Sequence, residues 1–111
     1  MNLENAQVAM KIILHAGDGR EKISEALNCL DSFDIAKAKE LLEEANKDIV
    51  EAHQVQTNAL QAESRGEETE YSILFTHAQD TCMSVSSEYN IAQHLISLFE
   101  VLDNRFKKIE N

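Results

Sequence analysis

The clearest pattern of apolar positions lies in the middle third of the chain. From Ile35 onward, apolar or small side chains recur in alternating steps of three and four residues, which is the spacing of one face of an α-helix. The positions concerned are Ile35, Ala38, Leu42, Ala45, Ile49, Ala52, Gln56 and Ala59. Asp34 directly precedes this pattern, and aspartate is a favoured N-cap residue. The pattern predicts a long helix whose small residues allow close packing against neighbouring helices.

A similar pattern predicts a first helix from about Leu3 to Leu30. Its apolar positions include Ile12, Ile13, Ala16, Ile23, Ala26 and Leu27. Gly17 and Gly19 interrupt this pattern, and a glycine inside a helix costs about 1 kcal/mol relative to alanine. Because the surrounding sequence is rich in alanine, we interpret the glycines as positions where another backbone approaches closely. A tolerated kink is the alternative.

The charged stretch at residues 63–70 is typical of a solvated loop, and a third predicted helix follows from about Tyr71 to Ile109. The second half of this helix carries an apolar stripe: Ile91, Leu95, Leu98, Leu102, Phe106 and Ile109. Continued backwards in steps of three and four, the stripe reaches polar residues, namely Ser87, Ser84, Asp80 and His77. We therefore expect these polar residues on or beside the packing face of the third helix.

Composition supports an all-α protein with a single domain over residues 1–111. The chain contains no proline and three glycines, whereas turn-rich β architectures need both residues in number. A length of 111 residues suits one domain. Three helices joined by short loops favour an antiparallel three-helix bundle.

Charge restricts the possible partners. Twenty acidic and ten basic residues give a formal net charge of −10, which repels nucleic-acid phosphates and anionic lipid. The sequence has no apolar run of about 20 residues, the length that spans a bilayer. Its N-terminus lacks the basic region and cleavage site of a signal peptide. Cys29 and Cys82 lack CxxC spacing and are interpreted as reduced thiols, so we expect a cytoplasmic protein.

The sequence contains no glycine-rich loop that would bind the phosphates of ATP. With that class of site excluded, the histidines are the candidates for a catalytic or metal-binding role. His53 is interpreted as a structural residue hydrogen-bonded between helices. His15 is interpreted as a packing or surface residue, and His94, which neighbours Leu95 of the apolar stripe, as an interface residue without a chemical role. His77 differs because Asp80, three residues later, shares its helical face.

The spacing of His77 and Asp80 leaves three interpretations open. The two side chains could form a hydrogen bond at a solvated rim. They could both be ligands of a metal ion. Alternatively, the imidazole of His77 could be a nucleophile towards phosphorus, because its neutral form is available near physiological pH.

Five stretches in a fixed order carry a family resemblance. They are HAGDGREKISEAL at 15–27, DIAKAKELLEEA at 34–45, EAHQVQTNAL at 51–60, GEETEYS at 66–72 and HAQD at 77–80. Together they resemble the lactose/cellobiose-type IIA components of the bacterial sugar phosphotransferase system. The resemblance covers nearly the whole chain, and the EAH and HAQD motifs are its most specific parts.

This resemblance implies a three-helix protomer that assembles into a homotrimeric helical bundle. It implies that His77 accepts a phosphoryl group from the histidine phosphocarrier protein and passes it to a cysteine of the cognate IIB component. It places Asp80 at the trimer axis, where three copies hold one metal ion, taken as Mg²⁺. Gln79 is a candidate contact to the phosphoryl oxygens because it lies close to His77 in the sequence, two residues later.

The resemblance also implies the transport of a β-linked disaccharide of the lactose, cellobiose or chitobiose type, with the membrane involved only through the sugar permease component. After the HAQD motif, Thr81, Cys82 and Met83 replace the HLM-like continuation of many family members. The polar sequence that follows supports an alternative, a non-catalytic helical oligomer or regulatory relative. A helical metal-binding protein with His77 and Asp80 as ligands is a third possibility.

Overall fold

The computed structural model describes residues 3–67 and 72–111, and this described part contains three long helices and no strand. The helices are α1 (Leu3–Cys29), α2 (Ile35–Ser64) and α3 (Ile73–Glu110). The all-α prediction is therefore confirmed. In the described ranges, no helix is long and apolar enough to cross a membrane.

Side-chain caps explain where α2 and α3 begin. The Asp34 carboxylate accepts a hydrogen bond of 3.2 Å from the backbone N–H of Lys37, which confirms the predicted N-cap. The hydroxyl of Ser72 accepts an equivalent bond of 3.0 Å from the N–H of Phe75. Each bond satisfies one of the backbone donors that a helix leaves free in its first turn.

The connection between α1 and α2 lies entirely within the described residues, whereas the connection between α2 and α3 lies only partly within them. A 3₁₀ turn at Leu30–Ser32 follows α1, and Phe33 then adopts a left-handed conformation with a φ of 56° that leads into α2. Helix α2 ends at Ser64, so the predicted loop at residues 63–70 begins inside the helix. Residues 68–70 and Tyr71, the predicted start of the third helix, lie outside the described residues.

The three helices pack side by side into a bundle of 65 × 21 × 18 Å. Contacts join His53 to Ser86 and Lys39 to Glu100, so α2 and α3 run in opposite directions. Much of the core consists of small residues, which allow the helix axes to come close together. The buried alanines are Ala9, Ala16, Ala26, Ala38, Ala45, Ala52, Ala78 and Ala92.

The two glycines of α1 have different environments. A methyl group at Gly19 would lie 3.2 Å from Cγ1 of Ile49 and 3.4 Å from the backbone oxygen of Ala45. The predicted close approach of another backbone is thus confirmed at Gly19. At Gly17 it is wrong, because a methyl group there would meet nothing within 4 Å.

The predicted packing face of α3 is only partly correct for the single chain, since Leu95 packs against the core and Phe106 contacts Phe33, whereas other positions of the stripe are exposed. Ile91 is 60% exposed, Leu98 is 53% exposed and Ile109 is 80% exposed. The core face of α3 instead consists of Ala78, Cys82, Val85, Ala92 and Ile96. The prediction followed the largest apolar side chains, whereas close helix packing places several of the smallest ones inside.

Candidate functional site

Helix α3 carries a second periodic face, directed away from the bundle core, which we call the outer seam. Its positions alternate in steps of four and three residues, and each of them is exposed in the single chain. The seam consists of Ile73, His77, Asp80, Ser84, Ser87, Ile91, His94, Leu98 and Val101. This is the heptad spacing by which helices associate through a shared seam.

His77 lies on the edge of the outer seam that borders α1. Glu88 is about three helical turns further along the same side of α3. It accepts hydrogen bonds of 2.9 and 3.1 Å from the Arg20 guanidinium of α1. This bond raises the pKa of Arg20 above its ordinary value. The contact identifies the α1 side of α3 and places His77 beside α1, near the beginning of α3.

The side chains of His77 and Asp80 are both exposed. Neither forms a hydrogen bond or an ion pair within residues 3–67 and 72–111. The hydroxyl of Thr81 donates a 2.8 Å bond to the backbone carbonyl of His77. This bond does not involve the imidazole nitrogens. The rim hydrogen bond between His77 and Asp80 is therefore absent, and the imidazole is open to a reaction partner.

Gln79 is half-buried and lies on the opposite edge of the outer seam, which borders α2. Residues two positions apart differ by about 200° around a helix and do not face each other. Ser86, seven residues after Gln79, contacts His53 of α2, which identifies this edge. The fold thus does not bring Gln79 and His77 of one chain together.

His53 makes the structural contact that the sequence predicts. Its Nε2 lies 2.7 Å from Oγ of Ser86, and the Ser86 hydroxyl donates a 3.0 Å bond to the carbonyl of Cys82. Because the hydroxyl hydrogen is used in that bond, Nε2 of His53 must carry the hydrogen that it donates to Ser86. His53 therefore joins α2 to α3.

Within the described ranges, a single chain contains no group of three or more His, Cys, Asp or Glu residues that could hold a metal ion. Asp80 offers one exposed carboxylate, and carboxylate oxygens suit a hard cation such as Mg²⁺. The donor chemistry fits the implied ion, whereas the number of ligands in one chain does not. Such a site requires Asp80 from several copies.

Cys82 is a poor nucleophile in this fold. Its side chain is 1% exposed, and burial raises the pKa of its thiol. The reactive form of cysteine is the thiolate, so His77 is the more available nucleophile of the HAQD region. Sequence reasoning did not find the Arg20–Glu88 contact, because no local pattern signals a pair so distant along the chain.

Residues 7–100 match the family described as "PTS system, Lactose/Cellobiose specific IIA subunit". The chain belongs to this family. The match includes both edges of the outer seam from His77 to Leu98. It confirms the resemblance carried by the EAH and HAQD motifs.

Curated members of this IIA family are similar over most of their length. The lactose-specific EIIA component of Staphylococcus epidermidis is 41% identical over 101 residues, covering 90% of this chain and 97% of the relative. The lichenan-specific phosphotransferase enzyme IIA component of Bacillus subtilis is 38% identical over 100 residues, covering 90% and 91%.

A solved IIA structure shows the same fold. The cellobiose-specific enzyme IIA of Bacillus anthracis superposes with a TM-score of 0.88 at 36% identity, covering 94% of this chain and 95% of that chain. The protein is thus a lactose/cellobiose-type IIA component of the sugar phosphotransferase system.

Proposed function

We propose that this IIA component carries a phosphoryl group on His77. The neutral imidazole attacks the phosphorus of the phosphohistidine on the histidine phosphocarrier protein. A new N–P bond forms at His77 while the donor's N–P bond breaks. A cysteine thiolate of the cognate IIB component then attacks the same phosphorus, which forms an S–P bond and releases His77 as neutral imidazole after proton exchange.

The observation that carries this proposal is the exposed imidazole of His77, which has no side-chain partner in the described part of the chain. A phosphocarrier histidine must meet two protein partners in turn, so its nitrogen has to remain accessible. Transfer between two protein-bound phosphoryl groups depends mainly on positioning and charge stabilisation. It does not need a nucleotide site.

We further propose that three copies associate through the outer seam with their α3 helices parallel around a three-fold axis. His77, on the α1-side edge of the seam, would then lie in a cleft at the boundary between two copies, where a partner protein can still reach it. The heptad spacing of exposed positions supports this assembly. Ile73 and Ile91 occupy the two alternating sets of seam positions, and isoleucine in both sets favours trimers or larger assemblies. Asp80 from each copy would then hold one Mg²⁺ per trimer, which would offset the repulsion among three carboxylates.

The same assembly gives Gln79 a role. Around a three-fold axis, the α2-side edge of one α3 faces the α1-side edge of the next. Gln79 of one copy would then approach His77 of its neighbour, although the two residues are apart within one chain. We propose that this amide donates a hydrogen bond to the phosphoryl oxygens.

The cargo proposed for the relay is a β-linked disaccharide of the lactose, cellobiose or chitobiose type. The names of the relatives refer to lactose, lichenan and cellobiose. The protein would act in the cytoplasm, between the histidine phosphocarrier protein and the IIB component. It would reach the membrane only through the sugar permease component.

The direct test is phosphorylation of the purified protein by phosphoenolpyruvate, enzyme I and the histidine phosphocarrier protein. Intact mass at neutral pH should show one added phosphoryl group per chain, lost on acid treatment. His77→Ala should add none, whereas His15→Ala, a matched loss of a histidine on α1, should be phosphorylated normally. An unmodified but folded wild-type protein would favour the non-catalytic relative instead.

A further inference from the structure

His94 lies on the outer seam in the same heptad position as Asp80. The two residues are fourteen positions apart, or two heptads, which at about 1.5 Å per residue is about 21 Å along α3. The His94 side chain is exposed and has no hydrogen bond or ion pair in the described part of the chain.

We propose that His94 of three copies forms a second metal site on the trimer axis, selective for a divalent transition ion such as Zn²⁺. This inference rests on the proposed trimer. If the seam brings Asp80 of each copy to the axis, the heptad repeat brings His94 of each copy to the same axis. Three imidazoles then converge at one level of the assembly.

The donor chemistry separates this site from the one formed by Asp80. Carboxylate oxygens suit Mg²⁺, whereas imidazole nitrogens suit Zn²⁺ and its neighbours in the transition series. Three histidine nitrogens and one water form a tetrahedral zinc site. The axis would thus hold two ions of different classes, separated by about four turns of α3.

The neighbouring seam positions support the proposal. Ile91 precedes His94 by one step and Leu98 follows it by one step, and both are more than half exposed in the single chain. In the trimer these residues would form apolar layers on either side of the imidazoles and exclude bulk solvent, leaving room for the one water that completes the zinc coordination. Three buried imidazoles without partners would be costly, and a shared metal ion satisfies one nitrogen of each.

Zinc uptake by the full-length protein tests this site. The chain is freed of metal with a chelator and dialysed against Zn²⁺ in the presence of excess Mg²⁺, which occupies carboxylate sites. Bound zinc is measured by mass spectrometry of the metal, and the assembly state by sedimentation velocity. The wild-type trimer should bind one more zinc ion per three chains than His94→Leu.

In His94→Leu, the leucine continues the apolar layers formed by Ile91 and Leu98, so this variant should remain trimeric. His94→Gln is a second variant that keeps a polar side chain of similar length. His15→Ala and Asp80→Leu should keep the zinc ion, because neither removes a proposed ligand. Cobalt(II) in place of zinc should give the visible absorption of a tetrahedral site in the wild type and lose it in both His94 variants.

The outcomes separate this site from the proposed function. A trimer that takes up no zinc, or a trimeric His94→Leu that retains the full amount, overturns the His94 site alone. A monomeric wild-type protein overturns both the trimer and the site. Normal phosphorylation of His94→Leu with loss of its zinc ion would support the site and show that it is independent of the relay.

Discussion

Nε2 of His53 on α2 lies 2.7 Å from Oγ of Ser86 on α3, in a groove of about 440 Å³ between the two helices. Ser86→Ala removes the acceptor and leaves the half-buried N–H of His53 unpaired. An unpaired donor of this kind costs about 1–2 kcal/mol. We expect the free energy of unfolding to fall by about that amount in urea titrations.

Ser24→Ala is the matched control for this change, because Ser24 is an exposed residue of α1. Its substitution should alter the free energy of unfolding by less than about 0.5 kcal/mol. Equal effects of the two substitutions would show that the bond between His53 and Ser86 contributes nothing measurable.

The glycines of α1 provide a second pair of variants. Gly17→Ala should raise the free energy of unfolding by about 0.5–1 kcal/mol, since alanine is the better helix former and the added methyl group meets no atom. Gly19→Ala gains the same propensity but presses on Ile49 at 3.2 Å. We therefore expect Gly19→Ala to be less stable than Gly17→Ala, and equal stabilisation by both would contradict the close approach of α2.

The two cysteines should differ in reactivity. Burial raises the pKa of the Cys82 thiol. Near pH 8, a smaller fraction of Cys82 is therefore thiolate than of a solvent-exposed cysteine. Cys29 is half-buried. Iodoacetamide should alkylate Cys29 at least about tenfold faster than Cys82 in the native protein, because burial also limits access.

Peptide mapping by mass spectrometry gives the two alkylation rates separately. The rate at Cys82 should rise with pH as its thiolate forms, and the difference between the cysteines should vanish in urea. Comparable rates in the native protein would place Cys82 outside the core.

Asp80→Leu should abolish the binding of the proposed Mg²⁺ ion, because it removes all three carboxylates at once. The variant loses both the metal and the repulsion among the carboxylates, so metal content is the informative measurement. It is determined on the assembled protein beside Asp48→Asn, whose carboxylate forms a 2.6 Å ion pair with Lys22 instead. An Asp80→Leu trimer with one ion per three chains would refute the ligand assignment.

Most of the local structure could be predicted from the sequence. The spacing of α2 identified its buried face from Ala38 to Gln56, and Asp34 identified its first turn. These features depend on neighbours within a few residues, which the sequence displays directly. The order of the EAH and HAQD motifs likewise sufficed to identify the family.

The tertiary structure decided which face of α3 packs into the core of the bundle. Helical spacing shows that residues share a face, but not which helix, if any, covers that face. The seam with Ile91 and Leu98 has the larger side chains, yet the core took the face with Ala78 and Ala92, because small residues let α3 approach α1 and α2. His77 and Gln79 are two positions apart in the sequence but border different helices. Gly19 shares the helical spacing of Ile12, Ala16 and Ile23, which Gly17 does not, but only the position of α2 shows how closely Ile49 approaches Gly19.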